Sequence, residues 1–122
     1  MKYLFIVALL FFCIFHINGQ ELSSTKNREK FFVQVVLGET DDSTFAEIEI
    51  GLRNNPYVYI VRFDSITNGL FVITKNIQEF NRSVFDSWMG EQESLIECYR
   101  DGIHGTDTVL PFNSNFCNSI AE

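Results

Sequence analysis

Histidine is nearly absent from this chain: His16 and His104 are the only two among 122 residues. Structural zinc sites take four cysteine or histidine ligands and catalytic ones three, so a pair this far apart argues against a zinc centre. Acid–base chemistry near neutral pH loses its commonest carrier for the same reason. There is no G-x-S-x-G stretch and so no hydrolase elbow. Lysine and arginine are also few, nine against sixteen aspartates and glutamates, and they form no basic run. Nucleic-acid phosphates and anionic membrane surfaces both demand clustered cations, so neither is an expected partner.

The chain also lacks an apolar stretch of the roughly twenty residues that a spanning helix needs. Its longest run, Leu4 to Phe15, follows Lys2 and precedes the polar "HINGQ". That is the pattern of a secretory signal occupying residues 1–19, with Gln20 as the mature start. Phe11 and Phe12 precede Cys13, where a lipidation site would place small residues. The expected destination is the periplasm, the outer membrane or the exterior, with no membrane span after cleavage. Loss of Lys2 moves the net charge from −7 to −8. What remains is one domain's worth of chain.

Cleavage also removes Cys13, leaving Cys98 and Cys117 as the mature cysteines. An exported pair is expected to form a disulfide. Between them runs "YRDGIHGTDTVLPFNSNF", in which Asp101 and Asp107 flank His104. These three are the candidate ligand or acid–base cluster, though one histidine without further ligands reads as a surface loop. With the bridge closed, residues 101–122 become a tethered tail.

After a polar lead-in at 20–30, "FFVQVVL" (31–37) reads as a strand, rich in β-branched and aromatic residues. Thr44 with Glu47 forms a capping box opening a helix that runs to about Asn54. "YVYIVRFD" (57–64) and "LFVITK" (70–75) flank the turn dipeptide Asn68-Gly69 and form a hairpin. A second helix starts at Asn76, or later near Asn81 or Ser83, and stops at Gly90. "SLIECYR" (94–100) is the fourth strand. The order β-α-β-β-α-β over residues 31–100 predicts a ferredoxin-like α+β sandwich: a four-stranded antiparallel sheet with two helices on one face.

In length, element order and export, the chain resembles the heavy-metal-associated modules, the small ferredoxin-like domains of metallochaperones. In that family a G-M-x-C-x-x-C loop joins the first strand to the first helix. The equivalent loop here is "GETDDSTF", with Gly38 in place and neither cysteine. Glu39, Asp41 and Asp42 are hard oxygen ligands where a soft copper(I) site needs thiolates. They lack the length and alternation of an EF-hand calcium loop. The resemblance therefore implies the fold and no metal or other cofactor.

Several strands are apolar on both faces: Phe32 with Val36, Val58 with Ile60, and Phe71 with Ile73. Helices on one face leave those six as a candidate interaction surface, to be covered by the tail (Val109, Leu110, Phe112, Phe116), another protein or a ligand. Asn81-Arg82-Ser83 is also an N-glycosylation sequon, meaningful in a eukaryotic secretory route. The combined expectation is a non-catalytic, exported accessory subunit that binds a protein partner in the cell envelope or outside it. The alternatives are a metal- or small-ligand-binding module and a peptidase-inhibitor or propeptide-like domain.

Overall fold

A strand with apolar residues at almost every position must be covered on both faces. Phe31–Leu37 (β1) is such a strand, and it occupies the interior of the sheet. The structure, a computed structural model, describes residues 28–120; the expected signal segment and most of the lead-in lie outside them. Along the chain β1 is followed by α1 (Asp42–Arg53), β2 (Val58–Asp64) and β3 (Gly69–Thr74). Then come α2 (Arg82–Met89), a 3-10 helix (Gly90–Leu95), β4 (Ile96–Ile103) and a short α3 (Phe116–Ile120). The strands form one four-stranded sheet in the order β2-β3-β1-β4, antiparallel at every junction. The domain is thus α+β.

Val33, Val35 and Leu37 alternate on one face of β1 and meet Ile48 and Leu52 from α1 and Phe85 and Met89 from α2. Val61, Leu70 and Val72 complete this core from the hairpin. Each such side chain contributes about 1.5–3 kcal/mol when fully buried. An aromatic row closes one side, with Phe31 5.4 Å from Phe80 and Phe80 5.4 Å from Trp88.

The helix starts differ from the sequence expectation. Asp41, not Thr44, caps α1: its Oδ1 accepts from the Thr44 amide at 2.8 Å and from the Ser43 hydroxyl at 3.1 Å. These hydrogen bonds, that of Thr44 foremost, hold its carboxyl below the usual range. Thr44 therefore lies inside the first turn. Asn81 caps α2 by accepting from the Val84 amide at 3.0 Å, which selects the later of the expected starts. The second helix ends at Gly90, whose φ of 61° is the left-handed geometry that glycine supplies without strain.

Two strands also differ. A bulge between Val58 and Ile60 lets Val58 join Val61 in the core beneath the helices and turns Tyr59 outward. Strict alternation had placed Val58 with Ile60 on the opposite face; the extra residue breaks the two-residue period. β4 starts after the 3-10 helix and continues past Arg100, pairing Ile103 with Phe31. Gly102, beyond the expected end of this strand at Arg100, is a strand residue under Phe32. A Cβ there would come within 2.7 Å of the Phe32 ring.

Cys98 and Cys117 are joined by a disulfide, with Cα atoms 5.6 Å apart, so the tail returns to β4. Replacing both cysteines by serine is expected to lower the unfolding free energy by about 3 kcal/mol, the loop-closure entropy of a cross-link of this span. Urea unfolding of the double variant measures it.

Tyr99 packs its ring 5.8 Å from Phe85 and donates its hydroxyl to Asp101 Oδ2 at 2.7 Å. Burial first, then this carboxylate, pushes the phenol well above its ordinary value of 10.0. The folded state thus prefers the protonated ring, while the unfolded chain ionises it near that ordinary value. Its contribution is complete below that pH and is lost as pH rises beyond it. The wild-type unfolding free energy should therefore fall above pH ~10, and Tyr99→Phe should flatten that decline in urea titrations.

Candidate functional site

On the face of the sheet away from α1 and α2, the central side chain of β1 is a glutamine. Gln34 is 1% exposed, and a buried amide must find partners. It finds them in the segment 104–115, the strap, and in β4. Its Nε2 donates to the Leu110 carbonyl at 2.6 Å, and its Oε1 accepts from the Leu110 amide at 3.1 Å. Oε1 also accepts from Arg100 Nη1 at 3.1 Å. One side chain thus hydrogen-bonds both polar groups of the Leu110 main chain.

Beyond Leu110 the strap crosses to the start of β3. Phe112 lies on Gly69, where a Cβ would sit 2.6 Å from the ring. Phe112 and Phe116 meet at 4.9 Å, and Phe116 is 1% exposed. Phe32 is fully buried beneath this cover, with the Arg100 guanidinium 5.2 Å from its ring centre. The tail thus covers β1, β4 and the near end of β3.

Beside it, over Arg62 to Asp64 of β2 and Phe71 of β3, lies a groove of about 310 Å³. Phe71 lines the sheet side, and Leu110, Pro111 and Phe112 line the strap side. Val109 also borders it, 46% exposed. The charged residues along it are Arg62 and Asp64, two apart on β2. Asp64 is engaged in the hairpin turn, its Oδ1 accepting from the Ile66 amide at 3.0 Å. Arg62 forms no ion pair among the described residues. The second Nε2 hydrogen of Gln34 likewise meets no acceptor among them. An apolar slot with a few convergent polar groups is the usual make-up of a binding site.

Of the six residues expected on the interaction surface, Phe71 lines this groove. Phe32 and Ile73 are buried, Val36 and Ile60 are half-buried, and Val58 belongs to the core under the helices. Gln34 and Arg62 were not among the expected site residues. A glutamine inside "FFVQVVL" was the available signal, since a polar residue in a doubly covered strand needs a specific partner. Nothing in the pattern of β2 singles out Arg62, because its unpaired state depends on contacts between distant segments.

The groups around His104 serve local structure. The His104 amide donates to the Lys30 carbonyl at 2.8 Å, continuing the β1–β4 pairing. Asp107 Oδ2 accepts from the Ile103 amide at 2.7 Å, and Asp101 accepts from Tyr99. Among the described residues no three histidine, cysteine, aspartate or glutamate side chains are grouped to hold a metal. No helix among them is long and apolar enough to cross a membrane. No protein-family model, curated protein or solved structure matches the chain.

The clasp at Gln34 has a measurable consequence. Gln34→Met keeps the bulk but strands the Leu110 amide and carbonyl and removes an acceptor from Arg100. The expected loss is about 2–3 kcal/mol, within the range for orphaned buried polar groups. Hydrogen exchange should show the Leu110 amide losing protection well before those of β1. Equal protection in the two proteins would mean that the strap is held without the clasp.

Proposed function

We propose that this is a non-catalytic, exported accessory domain that holds a segment of a protein partner in the cell envelope or outside it. The observation that carries this reading is the groove between the strap and the β2–β3 half of the sheet, apolar along most of its wall. Export is supported by the apolar N-terminal run and by the Cys98–Cys117 disulfide, a bond that oxidising compartments preserve. The ferredoxin-like reading is supported by the element order and by β1 and β3 as the interior strands of an antiparallel sheet. A binding role accords with the engagement of the Asp101 and Asp107 carboxylates in local hydrogen bonds, with Tyr99 and with the Ile103 amide.

Val109 offers a test that leaves the core intact, because its side chain stands at the groove in solvent contact. A tagged chain in its own cells should retain a defined partner at fixed stoichiometry after native extraction. Val109→Glu should lose that partner while the isolated protein unfolds at the same urea midpoint, and Ile66→Ser, at the hairpin tip, should keep it. A monomeric wild-type protein with no stoichiometric partner, or a partner unaffected by Val109→Glu, would overturn the reading.

A further inference from the structure

We propose that the groove receives the C-terminal residue of the partner polypeptide, with a bulky apolar side chain in the slot and the carboxylate on Arg62. The inference rests on the binding role just described and names the part of the partner that is held.

Size comes first. At about 310 Å³ the groove is at the lower end of the range for ligand sites, about 300–1,000 Å³. That suits one large side chain with its adjoining main chain better than a long apolar segment. The lining from Phe71, Leu110, Pro111 and Phe112 selects an aromatic or branched aliphatic group.

Charge comes second. Arg62 and Asp64 have opposite signs. Both keep their charge, but Asp64 Oδ1 already accepts from the Ile66 amide, whereas the Arg62 guanidinium makes no hydrogen bond or ion pair among the described residues and keeps all its donors for a ligand. A guanidinium presents a planar fork of donors that matches a carboxylate in two parallel hydrogen bonds. Gln34 adds a buried amide hydrogen, beyond the one given to Leu110, that is suited to a carbonyl or carboxylate oxygen.

Together these features call for an apolar side chain and a carboxylate close to one another. A chain terminus supplies both on a single Cα. An internal apolar–acidic pair places its carboxylate on the next side chain, which in an extended segment points to the opposite side.

The test uses the mature chain, residues 20–122, and fluorescently labelled glycine–serine hexapeptides ending in phenylalanine, leucine or tryptophan. Each is prepared as the free acid and as the C-terminal amide. A further peptide carries an internal phenylalanine followed by aspartate. Anisotropy should show at least one free-acid peptide binding, with amidation weakening it about tenfold, as loss of a charge-assisted contact does. Arg62→Gln should weaken the free acid by the same factor and leave the amide unchanged, a coupling that mere loss of stability would not produce.

Equal binding of acid and amide, an internal pair that matches the terminus, or an Arg62→Gln protein indistinguishable from wild type would each overturn the proposal. So would the absence of binding by every peptide. The Val109→Glu co-purification answers separately. A partner lost there, with peptides that fail here, leaves the docking role standing without terminal capture.

Discussion

The hydrogen bonds between the Gln34 side chain and the Leu110 main chain fix how the second face of this sheet is closed. An extended segment laid across strand side chains has no ladder to satisfy its own amides and carbonyls. Here a buried side-chain amide substitutes for a neighbouring strand at one residue, matching a donor to a carbonyl and an acceptor to an N–H. The Cys98–Cys117 bond acts differently, because it limits how far the strap can travel without choosing which residue lies over β1. The covalent bond sets reach and the amide sets register. Leu110, Pro111 and Phe112 line the groove only because both constraints hold.

Simple dimensions explain why cover is incomplete. Neighbouring strands lie about 4.8 Å apart, so the outer strands of a four-stranded sheet are separated by roughly 14 Å. Two helices of about 10 Å diameter span that width on the first face. One extended segment does not span it on the second. The strap leaves β4, passes over β1 at Gln34 and ends its crossing at Gly69 on β3. The uncovered strip falls over β2, the strand farthest from the disulfide. The groove is thus a consequence of strand order combined with a tail anchored at the opposite edge.

Much of this was legible in the sequence: four strands in β-apolar runs, two helices between them, and a cysteine pair binding the tail. What was not legible depended on competition or on distant partners. At the first helix, Thr44 with Glu47 read as the capping box, and only the folded loop shows Asp41 reaching the threonine amide. At β2, Val58 seemed to share a face with Ile60 until one extra residue, inserted opposite a continuous β3, put it under the helices. β4 runs three residues past Arg100 because β1 offers Phe31, Phe32 and Val33 as partners, information held seventy residues upstream. Gly102 lay beyond the expected strand end and serves as clearance for an aromatic ring. The tail as cover was foreseeable from Val109, Leu110, Phe112 and Phe116, whereas the half it would leave bare was not.

Comparing Arg100, Arg53 and Arg62 separates charge committed within the chain from charge that is not. Arg100 lies against Phe32 and donates to Gln34, so its stem and head belong to the interior arrangement. Arg53 is likewise committed, to Glu49 at 2.7 Å and to the Val61 carbonyl at 3.1 Å, where it blunts the free edge of β2. Arg62 has neither kind of contact, although it stands beside an apolar wall. A long cationic side chain without an internal partner loses conformational freedom on ordering and gains nothing within the chain to offset it. On an acidic domain with few cations, its place at the groove makes chemical sense when the compensating anion is supplied by another molecule.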